Sequence, residues 1–443
     1  MLFRFSLYGF LKNLRIYDAF LLIALLDRNL DFAAIGWLVA IREVSAVALE
    51  VPSGAVADTV GRKRCMVASM LGYVASALLL GLAESYWMLA LGMSLYGVGD
   101  AFRSGTHKAM IYAWLRQQGR IAERTRVYGF TRSWSKMGSA CSALVGGAVL
   151  MAGVGYRAMF LASAIVALMN AVNLATYPND LDERVPVAET STEGTIKRLL
   201  SALRQVVRQS DLRAVVTASA VVQGGYDAAK DYVQPVVQAA ILSMPVLLSL
   251  GDEQKVGLVL GPLSAVLFVV AGIASRKAYT FERWIGGPDR SARAIAILFV
   301  FAYLTMGACL AMGWPWAAAL TFVGLATLQN LWRPVQVSRF HGRADANATA
   351  TVLSVESQAS ALFTAAVAPL LGACIDWLAD GEGAAPLYTL TPVALVALPI
   401  PLLLLLQPAR SETEAATSGE LDSASEPTVP AAPRPRSDHS KRP

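Results

Sequence analysis

Apolar residues in this chain come in long runs broken by short polar turns, not in the narrow stripes of a soluble amphipathic helix. A run of about 20 mainly apolar residues is long enough to cross a bilayer as a helix. Taken from the start, that length predicts helices over 9–29, 33–57, 66–83, 86–107, 127–152 and 156–177. From 178 to 211 the pattern turns polar and mixed in charge, as a linker does, although 196–207 has the helical spacing of a segment lying on a membrane surface. A second series follows over 212–233, 256–274, 294–312, 316–332, 349–377 and 387–406. The stretch 234–250 is apolar but holds Pro235 and Pro245, which leaves it as an extension of the seventh helix or an outer loop. After Gln407 the chain is rich in Pro, Ser, Ala and Glu, and disorder is expected there. The pattern predicts an all-α integral membrane protein of 12 transmembrane helices in two six-helix bundles, 1–177 and 212–407, with a linker at 178–211 and a tail at 408–443.

Composition supports a bilayer. Of 443 residues, 55% are hydrophobic and 16% charged, and mean hydropathy is +0.48. The net charge of +6 does not point to nucleic acid, because the cations sit in clusters between apolar runs. Those clusters, at 62–64, 116–126, 184–208, 276–293 and 339–343, fall on alternate turns, while the intervening turns hold only Arg28, Arg157 and Lys255. By the positive-inside rule both termini are expected on the cytoplasmic side of the plasma membrane. Cys65, Cys141, Cys309 and Cys374 show no paired spacing and read as reduced packing residues. No small-residue cleavage site follows the first apolar stretch, so no removable signal peptide is expected.

The turn after the second helix is distinctive. Residues 50–65 carry Gly54, Asp58 and Gly61 at fixed spacing, followed by Arg62, Lys63 and Arg64. Gly61 suits a backbone reversal, Gly54 a close helix approach, and the cations a cytoplasmic turn. The pattern Gly54-x-x-x-Asp58-x-x-Gly61-Arg62-Lys63-Arg64 resembles the loop between the second and third helices of major facilitator superfamily transporters, and the likeness covers roughly 8–407. It implies two pseudo-symmetric bundles related by an axis along the membrane normal. It further implies that Asp58 meets the positive N-terminus of the eleventh helix and that Arg62 meets an acid on the fourth, here Asp100, to latch a cytoplasmic gate. In the second half, Ser275 to Tyr279 keeps cations but not the Gly and Asp spacing. Gly129, Gly138, Gly146 and Gly147 resemble the Gly-rich fifth helix of the drug-proton-antiporter branch, with Ser142 and Ala143 where that motif has Gly-Pro. Such small residues also serve ordinary helix packing.

An Arg, Lys or Asp at the centre of a membrane helix costs about 2.5–3.5 kcal/mol on insertion scales, so each needs a partner, water or a function. Charges within or at the end of the second to eleventh expected spans include six cations, Arg42, Arg103, Arg132, Lys136, Lys230 and Arg333, and six acids, Glu43, Glu50, Asp100, Asp227, Asp231 and Glu356. Asp227, Lys230 and Asp231 share a helix face, as do Asp100 and Arg103. Arg132 and Lys136 are like charges on one face and call for an acid or an anionic ligand between them. Glu356 is expected to face the central cavity. The first span, with an apolar core of only 19–26 between Asp18 and Asp27, reads as lining water, and Asp18 as a proton site or a partner of Arg15 or Lys12.

These features predict a secondary carrier moving a small organic solute by alternating access, coupled to protons, with export favoured by the glycine spacing. Glu43, Asp227 and Glu356 are the expected proton carriers; Trp134, Tyr226, Tyr232 and Trp332 could stack on the solute or simply pack between helices. The alternative is a transporter-like scaffold or sensor, in which the buried charges would neutralise one another in stable pairs. No nucleophile motif, phosphate loop or metal-ligand spacing is present, so no enzyme, cofactor or metal site is expected. The expected partners are a small solute, protons and lipid, with no nucleic acid, around a monomer.

Overall fold

The computed structural model describes residues 1–178, 181, 192–242, 249–341, 343, 349–379 and 387–406, without the side chains of 55, 58, 122, 125, 192–199, 341, 349–350 and 405–406. The tail 408–443, most of the linker before 192, and the side chain of Asp58 therefore lie outside the described residues. Residues Met1–Leu406 form one compact unit.

The first span is broken. Helix α1 (Leu2–Asn13) stops, a 3₁₀ turn covers Asp18–Phe20, and α2 (Leu21–Leu26) completes the crossing. The second to sixth spans are α3 (Phe32–Val60), α4 (Arg62–Leu82), α5 (Tyr86–Arg103), α7 (Arg124–Met151) and α8 (Tyr156–Ala175), with α6 (Thr106–Gln117) carrying the fourth beyond the membrane. Helix α9 (Thr192–Arg208) belongs to the linker. The seventh span is broken like the first: α10 (Ser210–Ala229), a 3₁₀ turn over Lys230–Tyr232, then α11 (Val233–Leu242). Pro235 stands in the first turn of α11, where a missing N–H costs nothing, so the seventh helix extends through Leu242. Helices α12 (Asp252–Ile285), α13 (Pro288–Ala311), α14 (Pro315–His341) and α15 (Thr349–Ala379) follow, and a long 3₁₀ segment, Leu387–Ala397, with α16 (Pro399–Leu406) ends the last span.

Two turn expectations need correcting. Helix α12 runs to Ile285, well past 274, so Arg276 and Lys277 lie on its extended last turns; the reversal is at Gly286 and Gly287, both with positive φ (94° and 112°). Counting apolar residues measures only the lipid-buried part of a helix that continues into water. Gly61 does reverse the chain, at φ 115°, and Lys63 Nζ caps the end of α8 through the Tyr177 carbonyl at 2.6 Å. Gly54, by contrast, makes no close approach: a Cβ there would meet nothing within 4 Å.

The bundles touch along two antiparallel seams, α3 with α15 and α7 with α12. At the end away from the termini, here the distal end, these seams are backbone-close. A Cβ on Gly257 would lie 2.6 Å from the Gly147 carbonyl oxygen, and one on Gly36 would strike the backbone at Ala368 and Pro369. The distal hydrogen bonds between bundles join side chains of one bundle to backbone of the other. Asp376 on α15 accepts from Phe32 N (3.0 Å) and Ala33 N (2.7 Å), the unsatisfied N-terminus of α3. Gln234 on α11 accepts from Leu22 N at 2.9 Å, and Gln254 Nε2 donates to Met151 O at 3.1 Å.

Among the described residues seven helices are long and apolar enough to cross a membrane by length and composition, and they correspond to spans two, three, six, eight, nine, eleven and twelve. The other five, spans one, four, five, seven and ten, are broken or carry charge.

Candidate functional site

All five of those interrupted spans line one cavity of about 420 Å³, together with α3 and α12. A membrane interior tolerates broken backbone and ionised side chains only where they face water or protein. In the first span the break is satisfied by side chains: Ile16 N donates to Ser163 Oγ at 2.9 Å, and Ser142 Oγ donates to the Arg15 carbonyl. This places the Arg15 and Asp18 side chains in the cavity, ion-paired at 3.1 Å.

Among the described residues four ion pairs lie in or against the cavity, each inside one bundle. Besides Arg15 with Asp18 they are Arg42 with Glu43 (2.7 Å), Arg103 with Asp100 (2.8 Å) and Lys230 with Asp227 (2.9 Å). Tyr73 Oη donates to Asp100 at 2.5 Å, and Tyr96 offers its ring to two guanidinium groups, Arg15 at 5.1 Å and Arg42 at 5.6 Å. Asp227 also accepts from Gln223 Nε2 at 2.7 Å, and Gln223 in turn accepts from Gln329.

Two cavity-lining charges stand apart. Asp231, on the broken turn of the seventh span, has no cation within 4 Å among the described residues and only a 3.5 Å contact from Gln234 Nε2. Lys136 on α7 lines the opposite bundle with no acid in ion-pair range among the described residues. Arg132, one turn away, is exposed and does not line the cavity.

Several expected sites move. Glu356 does not face the cavity: it is fully buried between α10, α14 and α15, taking hydrogen bonds from Arg333 Nη1 (2.6 and 2.7 Å) and Ser219 Oγ (2.6 Å). Asp100 is a cavity residue held by Tyr73 and Arg103, not an acid at the cytoplasmic turn, because it lies one turn from the end of α5 but faces inward. The trio on the seventh span pairs only as Asp227 with Lys230. Glu50 accepts from Ser354 Oγ at 3.2 Å across the α3–α15 seam. Three of the four spaced glycines of α7 pack, Gly138 against Phe10, Gly146 against Ile16 and Phe20, and Gly147 against Gly257, whereas a Cβ on Gly129 would meet nothing within 4 Å. Trp134 packs edge-on against Phe3 and Phe10, Tyr232 stacks on Phe32, and Trp332 is buried, leaving Tyr226 as the cavity aromatic among those four.

Sequence reasoning passed over Tyr73, Tyr96, Gln223, Gln234 and Asn330. A polar residue inside an apolar run was the available signal, and Gln234 and Asn330 carry it. Among the described residues no group of three or more His, Cys, Asp or Glu could hold a metal. A second cavity, about 410 Å³, opens at the distal surface between loop residues such as Asp27, Glu84 and Arg157, away from the broken helices.

The profile of the Major Facilitator Superfamily matches residues 9–364. Over 144 residues the chain is 30% identical to the multidrug resistance protein MdtG of Dickeya zeae (strain Ech586), covering 32% of this chain and 34% of that protein. Over 173 residues it is 25% identical to the inner membrane transport protein YajR of Escherichia coli (strain K12), covering 39% and 37%. The chain thus spans about a third of the length of the curated relatives it matches. Among solved structures, the nucleoside transporter NupG superposes with a TM-score of 0.72 at 12% identity, over 91% of this chain and 97% of that one. A D-xylose-proton symporter does so with a TM-score of 0.62 at 15% identity, over 90% and 96%. At these identities the likeness is one of fold.

Proposed function

Because the chain belongs to the Major Facilitator Superfamily, a family of multi-pass membrane transporters, we propose that it is a proton-coupled secondary carrier for a small organic solute, with its site in the charged cavity between the bundles. The observation that carries this reading is the pairing pattern: four cavity acids are ion-paired within their own bundle, while Asp231 has no cation within 4 Å among the described residues. An unpaired carboxylate on a broken helix can gain and lose a proton without dismantling an ion pair. Asp231 takes the role first given to Glu43, Asp227 and Glu356. Lys136, across the cavity, offers a second contact to a solute that carries an acceptor or negative group.

A scaffold would have every cavity charge neutralised, and the unpaired Asp231 and Lys136 speak against it. Export is the favoured direction, on the names of the MdtG relatives. Both termini are assigned to the cytoplasm of a bacterial inner-membrane protein, on the alternation of cationic turns. The carrier is assigned as a monomer without nucleic-acid partners, divided into bundles 1–177 and 212–407 with Asp58 and Arg62 as gate residues.

The test is transport in proteoliposomes under an imposed pH gradient, with a pH-sensitive dye inside and a panel of organic cations, organic anions, nucleosides and sugars added in turn. One class should move protons, and Asp231→Asn should stop that movement while leaving solute exchange at zero gradient. Proton movement at the parental rate in Asp231→Asn would remove this residue from coupling.

A further inference from the structure

Helix α9 presents two adjoining apolar faces, and only one is covered. Ala202 and Val206 are buried against Leu212, Val215 and Val216 of α10, Phe340 of α14, and Val352 and Val355 of α15. At 100° per residue, Leu203, Val207 and Leu200 continue the same arc, and they are 45%, 56% and 57% exposed. Arg204 and Arg208 follow on the edge of that arc, both exposed, and the polar Ser201 and Gln205 complete the far side. The order round the helix is therefore buried apolar, uncovered apolar, cationic, polar.

That order fits one environment. A helix with an apolar face bordered by cations lies in the plane of a membrane interface, its apolar side at the headgroup–acyl boundary and its cations among anionic headgroups. The position agrees. Helix α9 packs on the proximal ends of α10, α15 and α3, where the spans leave the bilayer, and Arg213 Nη1 fixes its last turn by donating to the Val207 carbonyl at 3.0 Å. Water on the uncovered face would leave three large apolar side chains exposed side by side on one helix.

We propose that α9 is a lipid-binding element: Leu200, Leu203 and Val207 insert into the proximal leaflet, and Arg204 and Arg208 bind the phosphates of anionic phospholipids. Because α9 touches α3 of the first bundle as well as α10 and α15 of the second, its seating on lipid bears on both sides of the proximal opening.

The test uses the full chain with its four native cysteines replaced, carrying one cysteine at Leu203 or, in a matched sample, at Gln205, each labelled with an environment-sensitive fluorophore. The protein is placed in nanodiscs of phosphatidylcholine with or without phosphatidylglycerol. The probe at 203 should be quenched several-fold more by doxyl-labelled lipid than the probe at 205, and more so with phosphatidylglycerol. The double substitution Arg204→Glu and Arg208→Glu should remove the dependence on phosphatidylglycerol. Equal quenching of 203 and 205 by aqueous iodide overturns the proposal, as does shielding of 203 from both quenchers, which would mean a protein partner covers this face. Insertion at 203 that ignores phosphatidylglycerol overturns the assignment of the two arginines.

Discussion

Replacing Glu356 by Ala tests whether this acid holds the second bundle together or carries the coupled proton. The substitution removes three hydrogen bonds, two from Arg333 and one from Ser219, all to a side chain with no exposed surface. Hydrogen bonds between membrane helices average about 0.6 kcal/mol, which sets a floor near 2 kcal/mol for the three. Stripping one partner from a buried ion pair costs about 3–5 kcal/mol when the remaining charge is trapped. Arg333 is not trapped, since its side chain is 40% exposed and can rehydrate. The expected loss is therefore about 2–3 kcal/mol. A thiol-reactive dye melt reports it directly, because Cys65 and Cys309 are buried in the first and second bundles. Adding Arg333→Leu to Glu356→Ala should recover more than half the loss, because removal of both charges leaves neither unpaired. An unshifted melt combined with lost proton coupling in Glu356→Ala would refute this reasoning and return Glu356 to the transport mechanism.

The distal seams give two further predictions. Gly257→Leu puts side-chain atoms where even a Cβ lies 2.7 Å from Leu150 Cβ, so α7 and α12 must separate; overpacking of this kind costs about 1–3 kcal/mol, and spin labels across that seam should show longer distances, with unchanged distances refuting the close-packing argument. Asp376→Ala frees the first two N–H groups of α3 at a cost of about 1 kcal/mol, as for a lost helix cap, and should raise the reactivity of a cysteine placed at Ala33; equal reactivity would show that Asp376 does not hold the distal end.

Much of the architecture was legible because a bilayer imposes one strong rule: apolar runs of fixed length separated by polar turns. The cavity helices were legible for the opposite reason. Spans one, four, five, seven and ten depart from clean apolarity, and Asp18, Asp100, Lys136, Asp227 and Asn330 among those departures mark faces turned to the interior, whereas Arg132 does not. Partnership was not legible. Periodicity puts Asp227, Lys230 and Asp231 on one face, but the α-helix gives way to a 3₁₀ turn over Lys230–Tyr232 and Lys230 closes on Asp227 alone. Glu356 reads as a cavity residue because sequence shows that an acid is in the membrane, not which neighbouring helix supplies its arginine. Ser142 looked like a departure from a glycine motif; in the structure its hydroxyl satisfies the Arg15 carbonyl left open by the broken first span. A motif comparison within one helix has no means of registering a need that arises in another.

The placement of charge bears on how such a molecule can change shape. Every cavity ion pair, from Arg15 with Asp18 to Lys230 with Asp227, is contained in one bundle, so rocking one bundle against the other breaks none of them. What rocking must break at the distal end is glycine packing and the hydrogen bonds from Leu22, Phe32, Ala33 and Gln254. At about 0.6 kcal/mol each, those four bonds hold roughly 2–3 kcal/mol. Inverting a 1:99 equilibrium takes about 5.5 kcal/mol of differential binding. Two solute contacts that form better in one state than in the other, together with protonation of one unpaired acid, supply free energy on that scale. If the distal end were latched by buried ion pairs instead, the same solute would have to overcome about 3–5 kcal/mol for each pair it broke, and the two open states would no longer lie within reach of each other.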